Sequence, residues 1–281
     1  MMAPRFEKKI PIIFFTHHIG DAEFATYPRR IGQVARGIYR WLFQCYITTP
    51  AIAVSESTKQ ELIERFGYQA SNITVITNST HIVPIKKIDW KKKTNNILFL
   101  GRLTAVKRTE DTIRAFFYAL DAIPTDVQLS IIGNSRDKTY VTRLMNLTEE
   151  LEIAHRITFH GYIPRQDFES IITTHRVMLI PSQKEGFGLV VLEANAYGLP
   201  VIAYDVAGLK DSVIPGVNGV LVPDGDYRAM GKEIIRIFEH PEAHKQLAES
   251  SLEHIKHINT WEKNIDEFEA IILSQIAGGN I

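Results

Sequence analysis

The stretch Pro181-Ser-Gln-Lys-Glu-Gly-Phe-Gly-Leu-Val-Val-Leu-Glu-Ala-Asn-Ala-Tyr-Gly-Leu-Pro-Val-Ile-Ala203 decides the fold. It runs from one apolar segment, Val177–Ile180, to another, Pro200–Ala203, with a glycine-bearing turn and a helix between them. Gly186 and Gly188 let the backbone adopt turn conformations closed to other residues and approach a ligand closely. The amides near Leu189 and Val190 are first-turn donors without helical partners, an arrangement that suits a phosphate. Two carboxylates, Glu185 and Glu193, flank that position with seven residues between them. They can accept hydrogen bonds from hydroxyl groups on either side of a diphosphate. A nucleotide-sugar has that layout: polyol, diphosphate, ribose diol.

The same string, PS-x-x-EGFG-x-x-x-LEA-x-A-x-G-x-PVIA, resembles the hallmark of the retaining nucleotide-sugar glycosyltransferases of the GT-B fold, in the large group called family 4. The resemblance runs from about Ile10 to the C-terminus. It implies a GT-B-like α/β architecture, two Rossmann-type parallel-sheet domains. It also implies transfer of a hexose-type unit from a nucleoside-diphosphate sugar to a carbohydrate or lipid-linked acceptor, with retention at the anomeric carbon. In that scheme Glu185 holds sugar hydroxyls, the backbone of Gly186, Phe187 and Gly188 lines the sugar and phosphate, and Glu193 accepts the ribose hydroxyls.

Further motifs fit the resemblance. Gly101-Arg-Leu-Thr-Ala-Val-Lys-Arg108 follows an apolar run and precedes a helix, and similarity to the family's G-R-x-x-x-x-K pattern makes Arg102 and Lys107 the clamp on the donor diphosphate. Fixed cations stabilise charge that builds on a departing diphosphate. Thr16-His17-His18 follows the first apolar run, where the family places a histidine near the transferring sugar; His17 and His18 are both candidates. Gly161 and Tyr162 match the loop that passes the nucleotide base. Asp224-Gly-Asp226 precedes a helix, and Asp226 reads as its N-cap rather than as a metal ligand. No cofactor or metal is expected, since zinc needs three or four convergent ligands. Two acids also invite a hydrolase reading. On one continuous helix they would stand ~12 Å apart along the axis, and the Gly-Phe-Gly turn argues against that arrangement.

Composition excludes other classes. With 281 residues, 45% hydrophobic, and Lys+Arg and Asp+Glu balanced at 32 each, the chain has no global pull towards nucleic acid. The single cysteine, Cys45, forms no internal disulfide, and no apolar run approaches the ~18 residues of a membrane span. A soluble cytoplasmic enzyme is expected, with peripheral contact at the inner face of the membrane through the basic amphipathic segment from Arg29-Arg30 to Trp41 and Phe43.

Apolar runs at Ile10–Phe15, Ala51–Val54 and Ile73–Ile76 predict strands, with helices over 31–46 and from Ser55 to Phe66. Runs at Asn96–Leu100, Val127–Ile132, Ile157–Phe159, Val177–Ile180, Pro200–Ala203 and Gly219–Val222 predict a parallel sheet. The expected organisation is a partial N-terminal domain over 1–80, a lysine-rich linker over 81–95, and a complete nucleotide-sugar-binding domain over 96–258. A helix over 259–281 then crosses back, docking through Trp261, Ile265, Phe268 and Ile272. Three strands are fewer than a Rossmann-like acceptor domain has, so the N-terminal domain reads as incomplete. A misplaced start, a split gene with a separate N-terminal half-domain, and a decayed enzyme all account for that. The alternative function is therefore a non-catalytic donor-binding remnant, or a subunit needing its other half.

Overall fold

Short runs of β-branched and large apolar residues form the strands, and most are followed by a helix that lies back on the sheet. The computed structural model describes residues 12–20, 24, 28–258 and 261–278. The start of the strand expected from Ile10 and the helix break expected around Asn259 lie outside them. The chain divides into two units, residues 1–81 with 259–281, and residues 82–258.

In the first unit β1 (Phe14–Thr16), β2 (Ala51–Ala53) and β3 (Ile73–Val75) form a parallel sheet in that order. Helices α1 (Arg29–Cys45) and α2 (Glu56–Phe66) connect them. Ser55 caps α2 by accepting from Thr58 N–H at 3.0 Å, and Gly67 ends it in the left-handed conformation. The core is aromatic: the rings of Phe43 and Phe66 stack 4.2 Å apart, and Tyr68 Oη donates to the Phe43 carbonyl at 2.9 Å.

The last helix, Trp261–Gly278, belongs to this unit but not through the face its periodicity suggests. Trp261, Ile265 and Ile272 are exposed. Only Phe268 of that set docks, its ring 5.6 Å from that of Phe15. The other anchor is polar: Asn264 Nδ2 donates to the Thr77 carbonyl at 2.7 Å and to Ser79 Oγ at 2.9 Å. The irregular backbone at 77–79 has acceptors to satisfy as it is covered, and an amide does so where an apolar side chain cannot.

The second unit runs β4 (Ile97–Leu100), α3 (Thr109–Ala119), β5 (Leu129–Ile132), α4 (Lys138–Glu150), β6 (Ile157–Gly161), α5 (Arg165–Ile172), β7 (Val177–Ile180), α6 (Leu189–Ala196), β8 (Val201–Tyr204), α7 (Leu209–Ser212), β9 (Gly219–Val222), α8 (Tyr227–Glu239) and α9 (Pro241–His257). Its strands are all parallel, in the order β6-β5-β4-β7-β8-β9. β5, β7 and β8 are buried at every position, which is why they read as unbroken apolar runs rather than alternating ones. The chain winds outward from β4 through β5 to β6, then returns to β4's other side with β7. That reversal leaves a crevice beyond the carboxyl ends of β4 and β7, the place where such sheets bind ligands.

Residues 82–95, expected to be a linker, are packed on this second unit. Ile85 N–H donates to the Ala196 carbonyl at 2.9 Å, Ile88 is buried against Gly198, and Lys93 Nζ donates to the His175 carbonyl at 2.8 Å. Two isoleucines among lysines are enough to anchor the segment, because lysine stems lie along apolar surface with their amines outward.

Beneath the sheet, His175 Nδ1 donates to the Ile171 carbonyl at 2.7 Å and His244 Nε2 to the Arg176 carbonyl at 2.9 Å. Burial pushes both imidazoles down to about 4, with the nearby Lys93 amine and, for His244, Arg176 acting in the same direction. Burial and then Arg176 hold Lys93 down to about 7. All three values are depressed in the folded unit. The histidines' contribution is therefore complete above 6.5 and lost as pH falls towards 4, while that of Lys93 is lost between 10.5 and 7. Urea unfolding should show stability falling by on the order of a few kcal/mol between pH 7 and pH 4.5. His175→Asn with His244→Asn should flatten that slope; an unchanged slope would place the acid sensitivity elsewhere.

Candidate active site

Three loops meet at the carboxyl end of the second sheet. The loop after β4 carries Gly101, Arg102 and Lys107, that after β7 carries Pro181 to Gly188, and that after β8 carries Ala207 and Gly208. Backbone bonds knit them. Gln183 N–H donates to the Val106 carbonyl at 2.8 Å, Glu185 N–H to the Ala207 carbonyl at 3.0 Å, and Asp211 Oδ2 accepts from Gly208 N–H at 3.1 Å.

Glycine makes the approach possible. A Cβ on Gly208 would lie 2.3 Å from the Glu185 carbonyl oxygen, and one on Gly188, whose φ is 88°, would lie 2.8 Å from Ser212 Oγ. Gly188 occupies the N-cap position of α6, so the amides of Leu189 and Val190 begin the helix there. Glu185 thus lies in the loop ahead of α6 while Glu193 projects from its second turn, half-buried. The two carboxylates therefore do not share one helix.

Lys107 and Glu185, assigned by resemblance to different parts of a donor, form an ion pair between Lys107 Nζ and Glu185 Oε1 in which both side chains are largely buried. Arg102 is exposed at the rim. Phe187 is buried, so only its backbone can line a ligand site, whereas Leu189 is exposed and Val190 half-buried. Tyr162 follows β6 with its ring open to solvent, turned there by Gly161 at φ 67°. His17 and His18 follow β1 in the first unit; His17 is exposed with its ring 4.3 Å from that of Phe15, and His18 is half-buried.

Two residues matter here beyond those the motifs pointed to. Gly133, at the end of β5, has φ 140°, and a Cβ there would fall 1.8 Å from the Gly101 carbonyl oxygen. Only glycine lets the two strand ends sit together, with Leu103 N–H donating to the Asn134 carbonyl at 2.9 Å beside them. Its sequence signal was the lone glycine closing an apolar run. Arg108 has no such signal. It is left-handed at φ 46° immediately after Lys107 and occupies the N-cap position of α3. Its guanidinium pairs with Asp224 Oδ1 at 2.5 Å and lies 5.8 Å from the centroid of the Tyr204 ring. Tyr204 Oη in turn donates to Asp111 at 2.9 Å, and partial burial raises the half-buried Asp111 carboxyl above the ordinary carboxylate range. Asp224 is thus the partner of an arginine, and Asp226 caps α8 by accepting from Ala229 N–H at 2.9 Å. Among the described residues no group of three or more His, Cys, Asp or Glu is placed to hold a metal ion.

A parallel sheet in this strand order, with a glycine-started helix at its reversal, defines an α/β unit of the GT-B type. The sequence matches the group 1 glycosyl transferases over residues 84–254 and Glycosyltransferase Family 4 over residues 1–82. The chain belongs to the group 1 glycosyl transferase family. It is 32% identical over 181 residues to the D-inositol 3-phosphate glycosyltransferase of Corynebacterium diphtheriae, covering 63% of this chain and 42% of that protein. It is 27% identical over 175 residues to the N-acetyl-alpha-D-glucosaminyl L-malate synthase of Bacillus anthracis, covering 62% of this chain and 44% of that one. The chain thus spans less than half the length of these relatives. In fold it is similar to HepE of Anabaena in complex with UDP and glucose, with a TM-score of 0.77 at 20% identity, covering 93% of this chain and 71% of that one. Sucrose-phosphate synthase of Thermosynechococcus elongatus gives 0.78 at 23% identity, covering 95% and 68%.

The left-handed backbone at Arg108 gives a test that separates strain from pairing. Arg108→Ala and Arg108→Gly both lose the Asp224 pair, but glycine adopts positive φ freely. In urea unfolding the glycine variant should be the more stable of the two by about 1 kcal/mol. Equal stability would mean that residue 108 is not held left-handed.

Proposed function

We propose that this chain transfers a hexose-type unit from a nucleoside-diphosphate sugar to a carbohydrate or lipid-linked acceptor, with retention at the anomeric carbon. The observation that carries the reading is the start of α6 at Gly188, set beside the Lys107–Glu185 pair at the reversal of the sheet. HepE in complex with UDP and glucose, a protein of the same fold, supports it.

In this reading the first amides of α6 meet the diphosphate, and Arg102 and Lys107 oppose its charge, so the chemistry needs no resident metal or cofactor. Glu193 accepts from the ribose hydroxyls and Glu185 from the sugar. The bond between the anomeric carbon and the diphosphate oxygen breaks as the acceptor oxygen bonds to that carbon on the same face. The leaving diphosphate oxygen takes the acceptor's proton. Cations and helix amides aimed at that oxygen act most strongly where charge accumulates. Tyr162 offers its ring to the base, and His17 or His18 a hydrogen bond to the sugar or phosphate.

Titration calorimetry with UDP, GDP and ADP tests this. One nucleotide should bind, and Glu193→Ala and Arg102→Ala should each weaken it about tenfold or more, the size of one charged hydrogen bond. A folded chain that binds none of the three would favour the donor-binding remnant, or a subunit that needs a separate half.

We further propose peripheral contact with an anionic membrane. Helix α1 carries Arg29, Arg30, Arg36 and Arg40 and no acid, and leaves Ile31, Val34, Ile38 and Trp41 exposed. Among the described residues no helix is long and apolar enough to cross a membrane. Vesicles containing phosphatidylglycerol should sediment with the chain, and replacing the four arginines by glutamine should abolish that. Unchanged sedimentation of the quadruple variant would overturn this contact.

A further inference from the structure

Lys93 lies four residues ahead of β4, and its amine reaches two backbone carbonyls from different parts of the sheet. Nζ donates to His175 O at 2.8 Å, just before β7, and to Gly198 O at 3.4 Å, just after α6. One amine therefore ties together the amino end of β4, the amino end of β7 and the carboxyl end of α6. The opposite ends of the same three elements carry Gly101, Arg102 and Lys107, then Ser182 to Glu185, then Gly188.

The surroundings reinforce the tie. The carboxyl end of a helix has carbonyls without helical partners, and an amine N–H can satisfy them. Ile85 N–H takes up the Ala196 carbonyl at 2.9 Å. Ile88 fills the space above Gly198, where a Cβ would lie 2.5 Å from Ile88 Cγ1. Thr94 N–H donates to the Thr174 carbonyl at 2.7 Å, holding the segment beside the start of β7. Helix α6 spans only 189–196, ~12 Å at the α-helical rise. A body that short has little internal give, so a tilt at its carboxyl end reappears at its first amides.

We infer that Lys93 is a positioning residue for the donor site, clamping α6 from below so that its first amides stay in register with Arg102 and Lys107. The inference rests on the proposed donor site but also makes a claim about α6 that needs no ligand. A role in stability alone would lower the unfolding temperature and leave the site unchanged in the folded protein.

The test compares Lys93→Met with Leu144→Ala, a truncation of a fully buried side chain in α4. Both are studied well below their unfolding temperatures. Hydrogen exchange at the hydrogen-bonded helical amides of Leu192, Glu193 and Ala194 should quicken at least fivefold in Lys93→Met and stay unchanged in Leu144→Ala. Titration with UDP, GDP and ADP should show the nucleotide that binds the unaltered chain held at least fivefold more weakly by Lys93→Met alone. Unchanged exchange and affinity in Lys93→Met, or equal losses in Leu144→Ala, would overturn the inference. If the unaltered chain binds no nucleotide, the donor reading fails, and the exchange comparison still decides whether Lys93 holds α6.

Discussion

Backbone approaches that no side chain would permit govern the second unit. Gly133 meets the carbonyl of Gly101, Gly208 meets that of Glu185, and Gly188 meets Ser212, each at a separation where a Cβ would collide. These contacts bring the loops after β4, β5, β7 and β8 close enough to exchange main-chain hydrogen bonds. They also leave room for a ligand to be met by backbone amides rather than by long, mobile side chains. The charged groups are then placed by that backbone: Lys107 and Glu185 pair because Gln183 and Val106 already join their loops. Replacing one of these glycines changes the distance between elements, not a single contact.

The sheet order turns this local closeness into a site. Winding outward from β4 and then returning to its other side leaves the ends of β4 and β7 without a crossover above them. The apolar strands supply rigidity through burial on both faces, and the short α6 delivers its first amides into the gap. Arg108 adds a strut on the β4 side, joining that loop to Asp224 beyond β9. Strained backbone beside a functional loop persists only where the surroundings hold it, and here an ion pair and an aromatic face do so.

Where the physics is local, the residues could be read directly. Ser55, Gly67 and Asp226 end or begin helices through their own side chains or lack of one, and the run at Val177–Ile180 is a strand because burial on both faces demands unbroken apolarity. The Pro181–Ala203 string spans strand, turn, helix and strand, so its meaning is largely contained within it. What escaped reading depends on partners distant in the chain. Ile85 and Ile88 looked like scattered apolar residues in a lysine-rich linker until Ala196 and Gly198 were beside them. Asn264 bonds to residues 185 and more positions away, and no periodicity encodes that. Arg108 takes a glycine-like conformation because Asp224 and Tyr204 hold it, and its neighbours in sequence give no hint.

The Lys107–Glu185 pair has a consequence for how the site discriminates among its own ligands. Each charge neutralises the other, so a group that draws one away strands its partner in a largely buried setting, at a cost. A nucleoside diphosphate competes for the lysine and offers nothing to the carboxylate. An intact sugar donor, on the proposed reading, supplies phosphate to one and hydroxyls to the other. On that reading such a site would favour the whole donor over the nucleotide alone, since only the donor offers a partner to both charges. The internal salt bridge is then, on the same reading, a built-in competitor for the phosphate of the product.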